Sequence, residues 1–134
     1  MNRNRPIWID ERDVLAIHDR SLAAHGGTAG LCDRGLLQST LARAQQHYAY
    51  AEGTGIVEMA ALYTVGIVRN HPFVDGNERA GFTAGVLFLE MNGYSFHASE
   101  EDVIGTLFSL AAGELNETGC AAWLRANVKP KRKR

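Results

Sequence analysis

Apolar residues recur at intervals of three and four over most of this chain, the period of helices that bury one face. After Asp10, a good N-terminal cap, Val14, Ile17 and Leu22 keep that spacing until Gly26 and Gly27 supply a stop. Asp33 can cap a second helix, with Leu36, Leu37, Leu41 and Ala44 on one stripe that fades near Tyr50 and the turn residues Gly53 to Gly55. From Ile56 to Asn70, the positions Ile56, Met59, Ala60, Leu62, Tyr63, Ile67 and Val68 cover more than one face, which predicts a helix packed on several sides. Pro72 disfavours helical geometry at the residue before it, so this helix exits at His71. The pattern resumes near Asn77 and runs through Ala84, Val86, Leu87, Phe88, Leu89 and Met91 to Asn92 and Gly93.

Ser99 followed by Asp102 has the form of a capping box, opening a helix through Val103, Ile104, Leu107, Phe108 and Leu110. Asn116 can cap a last helix that carries Trp123 and Leu124. Only Ile7 to Ile9 and Tyr94 to His97 read as strands, and both are short. The expected fold is all-α, a bundle of about six helices with at most a short β-hairpin, without internal repeat or linker.

Composition adds that the 134 residues, 46% hydrophobic and 22% charged, suffice for one domain with a real core. A net charge of −1 argues against a surface built to neutralise a phosphate backbone, so nucleic acid is not the expected partner. Charge is nevertheless uneven. Lys129, Lys131, Arg132, Lys133 and Arg134 crowd the end, which divides the chain into a domain at 1–128 and a basic tail at 129–134. The tail reads first as a solvated, frayed terminus, with contact to RNA or another acidic partner as the alternative. Cys32 and Cys120 are too few for a disulfide framework and lack metal-ligand spacing, so free buried thiols and a reducing, cytoplasmic setting are expected. No apolar run approaches the roughly 20 residues of a membrane span, and no hydrophobic signal segment follows the first residues.

Against this helical background, His71-Pro-Phe-Val-Asp-Gly-Asn-Glu-Arg79 interrupts the apolar pattern with an imidazole, a carboxylate, an amide and a guanidinium. Gly76 can adopt backbone conformations closed to other residues and expose successive N–H groups. The helix starting near Asn77 would add its unpaired N–H groups and the positive end of its dipole, which together make a phosphate site. Arg79 can grip phosphate oxygens, and Asn77 can orient the turn or donate a hydrogen bond. Asp75 offers a hard oxygen for Mg2+, an ion otherwise held by nucleotide phosphates and water. His71 can take a proton from a hydroxyl near neutral pH. Phosphoryl transfer needs mainly positioning and charge neutralisation, so these parts suffice without a covalent intermediate. Taken singly, the same residues have structural readings: a helix-end histidine, a turn or cap aspartate, a surface arginine. Phe73 reads as a core anchor for the loop. His18, His25, His47 and His97 lack comparable companions and read as surface or packing residues.

The nine residues resemble the motif of the Fic/Doc family: His-Pro-Phe, a variable residue, Asp or Glu, Gly, Asn, a further residue and Arg. Within it the chain looks like the Doc, or death-on-curing, branch, because it is short and carries Phe82 where adenylyl-transferring Fic proteins have a second arginine. Gly26, Gly27, Asp33 and Gly35, and Leu87 to Leu89 with Asn92 and Gly93, extend the likeness over most of the chain. The resemblance implies a compact Fic/Doc bundle and a toxin that transfers phosphate from ATP, with Mg2+, to a hydroxyl of elongation factor Tu, arresting translation, and that is restrained by a cognate antitoxin. It implies His71 as general base, Asp75 as the magnesium-associated carboxylate, and Gly76, Asn77, Arg79 and Arg69 as nucleotide or phosphate residues. One departure stands out: Doc proteins usually have Lys where this chain has Glu78. A carboxylate there repels phosphates by roughly a few kcal/mol unless it points away or binds metal, so reduced activity is expected. Fic-type adenylyl transfer and a catalytically silent antitoxin-binding module are the alternatives.

Overall fold

The computed structural model describes residues 5–50 and 55–131. It contains α1 (Glu11–His25), α2 (Arg34–Tyr50), α3 (Ile56–Asn70), α4 (Asn77–Met91), β1 (Tyr94–Phe96), α5 (Glu100–Ala111), α6 (Glu117–Ala126) and β2 (Val128–Pro130). The fold is all-α, and among the described residues its only sheet is the antiparallel pair β1–β2. No helix among the described residues is long and apolar enough to cross a membrane. The expected turn residues Gly53 and Thr54 and the tail residues Arg132, Lys133 and Arg134 lie outside the described residues.

The helix starts follow the local chemistry foreseen. Asp10 accepts from the Asp13 N–H at 3.0 Å while Asp13 accepts from the Asp10 N–H at 2.8 Å, a complete capping box. The Asp13 N–H also holds the Asp10 carboxyl below its ordinary pKa. Asp33 caps α2 through the Leu36 N–H, and Asn116 caps α6 through the Gly119 N–H. Ser99 accepts from the Asp102 N–H, but only this half of the expected box forms, since the Asp102 carboxylate accepts from Trp123 Nε1 at 3.0 Å.

Two other expectations need correction. Ile7 to Ile9 is not a strand: the Asn92 side-chain amide bonds both Ile7 N and Ile7 O, so a single residue stands in for a partner strand. Lys129 and Pro130, the first residues of the basic tail, pair with Ser95 and Tyr94 in β2. Three residues ending in proline carry too little alternation to read as a strand. Of the two free thiols only Cys120 is buried, which pushes its pKa up to about 12; Cys32 is exposed.

The core is organised around α3, where nine residues from Val57 to Ile67 are buried, as its all-round apolar pattern requires. α4 lies tightly along it. A methyl group on Gly81 would come 2.7 Å from Thr64 O, and Thr64 Oγ1 donates to Gly81 O at 2.8 Å. This close approach sets the exit of α3 beside the entry of α4, with only residues 71–76 between them.

One core group is poorly matched. The Tyr63 hydroxyl is buried with no well-formed hydrogen bond among the described residues, the Ile9 backbone being a weak partner, and burial drives its pKa upward. Tyr63→Phe should therefore leave thermal stability unchanged or raise it by about 1 kcal/mol, since it removes a poorly satisfied polar group. A clear fall in Tm on calorimetry would show that something serves the hydroxyl.

Candidate active site

His71 follows α3 in the left-handed region, φ 55° and ψ 53°, the one non-glycine residue with positive φ among those described. Its N–H still closes α3 on Ile67 O at 3.0 Å, and the proline behind it prevents a further helical turn. The side chain is left exposed.

The next residues are fastened from two sides. From the α1–α2 loop, Cys32 N and Asp33 N donate to Pro72 O at 2.7 and 3.2 Å, and Val74 N donates to Gly30 O at 3.0 Å. From below, the buried Asn77 uses its whole amide on Phe73, accepting from Phe73 N at 3.0 Å and donating to Phe73 O at 2.9 Å. Phe73 is itself buried, its ring stacked on His18 with centroids 3.8 Å apart. The anchor role expected for Phe73 is thus what the structure shows. The Asn77 side chain is spent on the turn, the first of the two uses its chemistry allowed.

Asp75 is exposed, yet both carboxylate oxygens are engaged: Oδ2 accepts from Thr28 N at 3.1 Å and Oδ1 from Gly76 N at 2.9 Å. Gly76 then takes φ 76°, ψ 21° and opens α4 with no side-chain cap. The first-turn N–H groups of α4 are therefore free of any side-chain acceptor, unlike those of α1, α5 and α6. The positive helix end thus meets no capping side chain and carries only the Glu78 carboxylate in its first turn.

Two hollows meet here. One, of about 250 Å³, holds Arg69, His71 and Glu78 against Leu110, Ala111, Gly113 and Leu115. The other, of about 510 Å³, holds Gly76, Glu78 and Arg79 between the end of α1 (Ser21, His25, Gly26) and the α5 residues Ile104, Leu107, Phe108 and Ala111. Glu78 and Ala111 line both. The structure thus brings His71 to Arg69 and Gly76 to Arg79, with Glu78 on the divide, while Asp75 lines neither hollow and the Asn77 side chain lies buried beneath. None of Arg69, Glu78 and Arg79 joins an ion pair among the described residues.

Sequence reasoning did not find the α5 wall, Thr28, or the contact of His18 with the turn. Their partners lie tens of residues away, so no local spacing announces them. Phe82 packs edge-on to Phe96 and tilted to Trp123, so its ring is taken up in an aromatic cluster.

Asp75 fits a magnesium ion in a limited way. No group of three His, Cys, Asp or Glu among the described residues could hold a metal alone. A carboxylate oxygen that accepts one N–H keeps a further lone pair, which suits an ion whose remaining ligands are phosphate oxygens and water.

An uncapped helix N-terminus, an arginine and an exposed histidine thus meet at one turn of an all-helical domain, an arrangement whose chemistry suits an anion beside a proton acceptor. The profile of the Fic/DOC family matches residues 8–89, from the approach to α1 through most of α4. "Protein kinase doc" of Escherichia phage P1 is 32% identical over 117 residues, 87% of this chain and 92% of that protein. "Toxin Doc" of Mycolicibacterium smegmatis is 34% identical over 92 residues, 68% of each chain. The chain belongs to the Fic/Doc family.

Proposed function

We propose that this chain is a Doc-type toxin of a toxin–antitoxin system, a phosphotransferase that moves the γ-phosphoryl group of ATP to a hydroxyl of elongation factor Tu and is restrained by a cognate antitoxin. The observation that carries the reading is the uncapped start of α4 behind left-handed Gly76, opening with Arg79 into a hollow beside His71. A relative named as a protein kinase supports it.

In this reading the N–H groups of α4 and the Arg79 guanidinium hold and neutralise the transferring phosphates. Arg69 stands on the His71 side, where it can steady the group in transit. His71 takes the proton as the acceptor oxygen bonds to the γ-phosphorus; the bond to the β–γ bridging oxygen breaks, and ADP leaves. Asp75 would hold Mg2+, which when bound supplies charge neutralisation to the phosphates.

Glu78 bears on the rate because it lines both hollows without a cationic partner. A like charge near the phosphates costs about 1–3 kcal/mol at intermediate dielectric, so Glu78→Lys should raise transfer by about tenfold or more. The same observation favours a second reading, an antitoxin-binding module without catalysis.

Incubation with elongation factor Tu and either γ- or α-labelled ATP separates the cases. Label from the γ position is the expected result. Label from the α position would mean adenylyl transfer, and no label from wild type or Glu78→Lys would leave the silent module.

A further inference from the structure

His18 lies on α1, far in sequence from the motif, and is 3% exposed. Its Nε2 sits 2.7 Å from Asp75 O. A carbonyl oxygen only accepts, so Nε2 carries the proton and donates. The ring plane lies within 8° of the Phe73 ring, and Nε2 is among the atoms nearest the open side of Gly76, 3.7 Å from where a Cβ would stand.

These contacts act on one peptide plane. The carbonyl of the Asp75–Gly76 peptide is held by His18, and its N–H by Asp75 Oδ1 at 2.9 Å. A plane gripped at both ends cannot rotate without losing two hydrogen bonds, one of them made by the buried His18. Its rotation would change ψ of residue 75 and φ of residue 76 together, taking Gly76 out of the left-handed conformation from which α4 starts. It would also take from the Asp75 carboxylate the Gly76 N–H that holds its Oδ1.

We infer that His18 is a positioning residue: through its Nε2–H on the Asp75 carbonyl it fixes the peptide that aims both the α4 N-terminus and the Asp75 carboxylate. This rests on the phosphotransfer reading for its catalytic consequence, but not for its structural one. A histidine that merely fills space beneath Phe73 would do so with its ring alone.

Two substitutions separate the ring from the donor. His18→Phe keeps an aromatic ring on Phe73 and removes the N–H; His18→Gln removes the ring and keeps an amide donor at similar reach. Positioning predicts that His18→Phe lowers kcat roughly 10- to 100-fold with little change in KM for the acceptor protein, as expected for a displaced reacting geometry. It predicts that His18→Gln recovers most of that loss even if its Tm falls. Amide spectra of the nucleotide-free protein give a readout that needs no turnover: the Gly76 and Glu78 signals should move in His18→Phe and stay near wild type in His18→Gln. A wild type that transfers no phosphate would sink the functional reading and leave the amide test standing. Unmoved Gly76 and Glu78 amides in His18→Phe would overturn the inference, as would a folded His18→Gln whose amides shift as far as those of His18→Phe.

Discussion

His71→Ala is expected to lower single-turnover phosphoryl transfer by about a thousandfold, within the range that a positioned general base contributes. The substitution removes the imidazole and little else. His71 is exposed and its side chain makes no hydrogen bond among the described residues, so the core and the grip on Pro72, Phe73 and Asp75 should persist. Alanine is less at home than histidine in the left-handed backbone of this position by under about 1 kcal/mol, so Tm should fall by only a few degrees. ATP affinity should also hold, because the phosphate contacts assigned to α4 and Arg79 lie in the neighbouring hollow. A variant that keeps a tenth or more of the wild-type rate would mean that another group takes the proton.

Asn77→Ala is expected to act on stability. The Asn77 amide is fully buried and is the only partner of both Phe73 N and Phe73 O among the described hydrogen bonds. Truncation leaves a buried donor and a buried acceptor unmet, at about 1–3 kcal/mol each. Allowing for partial relaxation, a loss of about 3 kcal/mol is expected, a fall in Tm of about 10 °C for a domain of this size. Because Phe73 anchors the turn, transfer should drop even below the unfolding transition. Thermal unfolding followed by circular dichroism tests this, and a fall of under about 3 °C would show the turn to be held by its other contacts alone.

Much of the fold was legible because helix chemistry is local. Asp10, Asp33, Ser99 and Asn116 all cap the helices they precede, and the all-round apolar pattern of residues 56–70 marks the helix that becomes the centre of the core. β2 was not legible, since Val128–Pro130 has meaning only against Tyr94–Phe96. The turn at 71–76 was visible for the same local reasons: a proline after one helix and a glycine before the next. What the motif could not show is how its members divide. Asn77 carries the same amide whether it faces a phosphate or the Phe73 backbone, and only the burial imposed by α3 packing decides. The separation of His71 from Gly76 and Arg79 depends on α5, whose residues come some thirty positions later. His18 belongs to the same class: its carbonyl partner is 57 residues away.

The left-handed backbone at position 71 also bears on how such a gene decays. A residue with a side chain branching from Cβ onward is held there at a cost of about 1 kcal/mol, which asparagine bears more easily by bonding its own backbone. Histidine and asparagine codons differ by one base. The mutation that would disarm the proposed reaction is therefore near at hand and should carry little folding penalty. A lineage in which the activity ceased to be useful could lose it by that single step, leaving a folded protein that could still occupy a binding partner.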